Sequence, residues 1–65
     1  MTKIQQTLMN AITQQGTDWS DIVGAIKSKH KVKNWMIVRN NLQGLINAGL
    51  VKRYPSIEKE IWQLA

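Results

Sequence analysis

The sequence predicts an α+β domain in which three helices precede a C-terminal two-stranded β-hairpin, all in one unit spanning residues 1–65. Three observations predict it. Apolar residues recur at helical spacing in three separate runs, cap-type residues and glycines punctuate those runs, and after Gly49 the apolar period shortens to that of a strand.

Thr2-Lys3-Ile4-Gln5 fits the capping-box pattern, in which the Thr hydroxyl accepts from the third helical N–H and Gln reaches back to the cap. A first helix is expected over about residues 3–15. Ile4, Leu8, Ala11 and Ile12 give it one apolar stripe, and Gly16 supplies the left-handed residue that commonly ends such a helix. Ser20 is expected to cap the second helix with Asp21 in its first turn, Asp18 being a rival cap two residues earlier. Ile22, Val23 and Ile26 form its buried face, while Gly24 and Ala25 are small enough for another helix to pass close by. Trp19 is expected to pack into the core, as a staple or within a short strand ahead of this helix.

Residues 27–33, KSKHKVK, read as an irregular segment holding four of the nine cations. Asn34 then caps a third helix over about residues 34–48, and steps of about 100° per residue place Trp35, Val38, Leu42, Leu45 and Ile46 on its core face. Met36, Asn40, Gln43 and Asn47 lie opposite, with Lys33, Arg39 and Gly44 on the flanks. No carboxylate occurs from Asn34 to Ala48. Gly49 ends the helix, Leu50 to Tyr54 reads as a strand, Pro55-Ser56 and the polar residues after it as a turn, and Glu60 to Leu64 as the returning strand. Trp62 and Leu64 share the side of that strand that covers the core.

Size and composition narrow the function. A chain of 65 residues buries roughly 60% of its unfolded surface, too little for a deep catalytic pocket. Nine Lys and Arg against four Asp and Glu give a net charge of +5, which favours polyanions. There is no Cys and one His, so neither a disulfide framework nor a metal site is expected, and no cofactor. No nucleophile, base and acid come together in the sequence, and no glycine-rich phosphate loop is present, so an enzyme is not expected. Without an apolar leader or spanning segment, the expectation is a cytoplasmic protein with no membrane partner, nucleoid-associated if bacterial or phage.

The run Val38 to Arg53, VRNNLQGLINAGLVKR, resembles the third helix and wing of the winged helix-turn-helix superfamily, particularly MarR, ArsR and Lrp-like regulators. Their V-x-x-x-L-x-x-L-x-x-x-G-L-V-x-R pattern is met by Val38, Leu42, Leu45, Gly49, Leu50, Val51 and Arg53. Trp19 to Val23 is similar to the opening of the family's second helix, so the resemblance covers about residues 4–64. Two departures stand out. The interval between the second and third helices is longer than the usual tight turn, and the dimerisation helices of full-length regulators are missing, so the chain looks more like a small phage, plasmid or fimbrial-type regulator. Winged domains that bind Z-form DNA carry Asn and Tyr where this chain has Arg39 and Gln43, a poor fit to that variant.

The resemblance implies a three-helix winged helix-turn-helix that binds double-stranded DNA sequence-specifically as a transcriptional regulator, repressor-like and either monomeric or a homodimer on symmetric sites. The expected base readers are Met36, Arg39, Asn40 and Gln43: the amides suit adenine, Arg39 suits guanine or a phosphate, and Met36 suits a thymine methyl. Lys29, Lys31, Lys33, Asn34, Lys52, Arg53 and Lys59 are the expected phosphate contacts. The alternative is a winged-helix protein-interaction module that uses Met36 and Ile37 to meet a regulatory protein.

Overall fold

The computed structural model describes all 65 residues. Helix α1 (Lys3–Ala11) is followed by a two-residue strand β1 (Thr17–Asp18), helices α2 (Trp19–Lys29) and α3 (Trp35–Asn47), and strands β2 (Val51–Pro55) and β3 (Glu60–Leu64). The strands form one antiparallel sheet in the order β1-β3-β2, so the last strand of the chain is the middle one. The expected hairpin therefore gains a third member.

The capping box closes α1 as the sequence predicts. Gln5 N–H donates to Thr2 Oγ1 at 3.0 Å, and Thr2 N–H donates to Gln5 Oε1 at 3.0 Å. The helix stops four residues short of the expected end, with extended backbone at Ile12. Tertiary pairing overrides local propensity there: Ile12 is buried, Thr13 N–H donates to Thr17 Oγ1 at 3.1 Å, and Thr13 C=O accepts from Leu64 N–H at 3.1 Å. Gly16 serves this crossing rather than a helix end. Its φ is +110°, and a Cβ there would lie 2.8 Å from Ile61 Cγ2, so both backbone and space select glycine.

Asp18, not Ser20, caps α2, its carboxylate accepting from Asp21 N–H at 2.9 Å. Pairing of Thr17 and Asp18 with Trp62 and Ile61 fixes the extended backbone that a cap requires, and this moves Trp19 into the helix. At its other end α2 runs into the basic segment as far as Lys29. Lys27 and Lys29 then sit in the last turn, where cations meet the negative end of the helix dipole.

Asn34 caps α3 with its side chain accepting from Met36 N–H at 3.0 Å. The C-terminal end is a Schellman motif: Leu50 N–H bonds Leu45 C=O and Gly49 N–H bonds Ile46 C=O, both at 3.0 Å, across Gly49 at φ +78°. Leu50 therefore belongs to the helix end, and β2 starts one residue later than expected. The core is Leu8, Ile12, Ile22, Ile26, Val38, Leu42, Leu45, Val51 and Trp62, with Trp19, Trp35 and Leu64 half-buried against it. No helix is long and apolar enough to cross a membrane.

Candidate functional site

Helix α3 divides cleanly by face. Val38, Leu42 and Leu45 are buried, and Met36, Asn40, Gln43 and Asn47 are exposed, as the helical period requires. Met36 is 58% exposed, the one apolar side chain in an otherwise amide row. Gln43 Nε2 donates to Asn47 Oδ1 at 2.9 Å, which orients one amide along the helix surface. Asn40 stands between Met36 and Gln43 with no hydrogen-bond partner for its side chain, whereas Asn41, on the α1 side, is tied to Thr2 and to Ile37 C=O.

Between α3 and the hairpin lies an open groove of about 250 Å³ lined by Arg39, Asn40, Leu42, Gln43, Ile46, Arg53 and Trp62. Its polar wall is built by one carboxylate. Glu60 accepts from Arg39 Nη2 at 3.1 Å and from Arg53 Nε at 2.7 Å. Residues 53 and 62 face each other across the β2–β3 pair, and Glu60 stands two residues along on the same side of β3, so Arg53 and Glu60 are diagonal neighbours. Arg39 reaches the same carboxylate from the flank of α3, its guanidinium 4.3 Å from the Trp19 ring centroid and 5.8 Å from that of Trp62. Trp19 also meets Trp35 edge-on at 6.0 Å and Trp62 at 5.8 Å. One arginine thus joins α2, α3 and β3 through its charge and its plane together.

The sequence-predicted residues fall into three situations. Met36, Asn40 and Gln43 line up outward on α3. Arg39, expected as a base reader, lines the same groove, but its guanidinium is engaged by Glu60 and Trp19. Among the expected phosphate contacts, Lys29, Lys31, Lys33 and Lys52 are exposed without an acid partner, Arg53 is paired with Glu60, Lys59 lies 4.0 Å from Asp18, and Asn34 uses its side-chain oxygen as the helix cap. Glu60 and Trp19 were not singled out as site residues. The signal for Glu60 was the strand register, which sets it beside Arg53; nothing local in the sequence brings Trp19 beneath Arg39.

Hydrogen bonds from Arg39 first and Arg53 second hold the Glu60 carboxyl below the usual carboxylate range. A carboxylate whose folded-state value is depressed adds stability that is present above its unfolded value and disappears as pH falls through the folded one. Glu60→Gln is therefore expected to be less stable than the parent chain at neutral pH, with the two urea midpoints converging in acid. A gap that stays constant with pH would assign the loss to packing instead.

No group of three or more His, Cys, Asp or Glu side chains comes together to hold a metal ion. His30 hydrogen-bonds the Thr7 hydroxyl at 2.8 Å and ties the loop after α2 to α1. No family model, curated protein or solved structure matches the chain.

Proposed function

We propose that this chain is a winged helix-turn-helix domain that binds double-stranded DNA sequence-specifically, α3 entering the major groove and the β2–β3 hairpin serving as the wing on the backbone. The observation that carries the reading is the outer face of α3: Met36, Asn40, Gln43 and Asn47 exposed in one row, without an acid, flanked by lysines that have no carboxylate partner. Solvated helix faces usually mix Lys with Glu, whereas free amides beside cations suit a surface of base edges between phosphates. The three-helix and three-strand architecture is compatible with the reading.

Each part then has a physical task. Asn40 presents an unengaged amide able to donate to N7 and accept from the N6 amino group of adenine, and Met36 offers an apolar contact to a thymine methyl. Gln43 keeps its carbonyl oxygen and one N–H free beyond its bond to Asn47. Lys29, Lys31 and Lys33 precede α3, and Lys52 follows it on β2, so the helix is bracketed along the chain by cations able to bind the backbone. Arg39 and Glu60 act as the strut that fixes the wing against α3, so register depends on a pair that need not touch DNA.

Selection of bound duplexes from a random pool, followed by footprinting, tests the reading directly. On the selected site, Asn40→Ala is expected to weaken binding by about 1–3 kcal/mol while leaving nonspecific duplex binding nearly unchanged. Equal losses on both would reassign Asn40 to positioning. Absence of any gel shift at low salt would favour the protein-interaction module, for which exposed Met36 and adjacent Ile37 are the natural contact.

A further inference from the structure

The most exposed large apolar residue of the chain belongs to no core and to no contact described above. Ile57, at the tip of the hairpin, is 105% exposed, so its side chain contributes nothing to holding the fold. Turn tips normally carry Gly, Asn, Asp, Ser or Pro for conformational reasons that a β-branched residue does not satisfy. The tip is nonetheless built to hold its shape. Ser56 N–H donates to Lys59 C=O at 3.2 Å, Lys59 N–H donates to Ser56 Oγ at 3.0 Å, and the Ser56 hydroxyl also bonds Lys59 C=O. Pro55 restricts the chain immediately before it, and the β2–β3 ladder continues up to the Pro55↔Glu60 pair. A rigid turn therefore presents one bare aliphatic side chain, with Glu58 beside it and Lys52, Arg53 and Lys59 along the legs.

Reach matters as well as shape. Five strand residues span about 17 Å at roughly 3.3 Å each. Half a turn of duplex is also about 17 Å. A hairpin rooted just beyond the C-terminal end of α3 is thus long enough to carry its tip from a major groove to the adjacent minor groove.

We propose that Ile57 is a minor-groove wedge: it inserts at a flexible pyrimidine–purine step, partly unstacks it and bends the duplex away from the hairpin. Isoleucine is among the apolar side chains that do this, and pyrimidine–purine steps are the ones that open most readily. Lys52 on the leg is exposed without an acid partner, and Lys59 next to the tip, 4.0 Å from Asp18, supplies a second cation for the phosphates that flank such a groove. The inference rests on the reading of α3 as the DNA-binding helix and adds an architectural activity to it.

The test uses the full chain on a duplex of about 30 base pairs carrying the selected site, with a dye at each end and 2-aminopurine beside a TA step under the tip. The wild type should bring the ends closer, by a bend of at least about 20°, and raise the 2-aminopurine signal. Ile57→Ala should fold and bind but leave the duplex straight and the 2-aminopurine dark, and Ile57→Leu should restore both signals. A bound duplex that stays straight with the wild type, or one that Ile57→Ala bends equally, overturns the wedge and leaves the reading of α3 standing. If the wild type fails to retard any duplex at low salt, the reading of α3 falls and the wedge falls with it.

Discussion

Replacing Trp62 with alanine is expected to remove about a third or more of the chain's stability at 25 °C. The side chain is 1% exposed and joins the β3 side of the core to α3, with Trp19 packed against its ring at 5.8 Å. Deleting a buried Trp costs about 3–5 kcal/mol, through lost transfer energy and an unfilled cavity. A domain of this size has roughly 3–10 kcal/mol in total, at about 0.05–0.15 kcal/mol per residue. The loss therefore takes a large share of the whole. Far-UV circular dichroism with a urea titration would show it, and a Trp62→Ala midpoint close to that of the parent would mean that the sheet's central strand packs elsewhere.

Raising salt fourfold, for example from 50 to 200 mM, is expected to weaken duplex binding by roughly 500-fold if about five phosphates are neutralised, since the slope of log affinity against log salt is then about −4.5. The structure makes this figure informative. Lys29, Lys31, Lys33 and Lys52 are unpaired, but Arg53 must leave Glu60 to count fully as the fifth cation. If Arg53 stays with Glu60, four contacts remain, the slope is about −3.6, and the same change of salt costs roughly 150-fold. A salt titration measured by fluorescence anisotropy separates the two slopes. A flat response would remove phosphate binding as the main source of affinity.

The parts of the fold legible in the sequence are those set by neighbouring residues. The capping box at Thr2 and Gln5, the Asn34 cap, the two faces of α3 and the stop at Gly49 follow from side-chain chemistry within a few positions, and the structure shows each of them. The parts not legible depend on pairing across the chain. The early end of α1 reflects bonds from residue 13 to Thr17 and Leu64, and the choice of Asp18 over Ser20 follows from the pairing of β1 with β3. The site divides the same way. The outward row of Met36, Asn40 and Gln43 was readable from the helical period. The engagement of Arg39 by Glu60, 21 positions away, and by Trp19, 20 positions before it, was not. A flank position on an amphipathic helix is where periodicity is silent, because such a side chain can turn either way.

The position of β3 has a consequence for how the chain is made. Because the strand that comes last joins both others, no sheet hydrogen bond can exist while synthesis has reached only as far as the hairpin tip. Until residues 60–64 have been added, α1, α2 and α3 can pack on one another, but the side of their core that Trp62 covers stays open. For that interval the nascent segment is exposed to aggregation or to capture by chaperones.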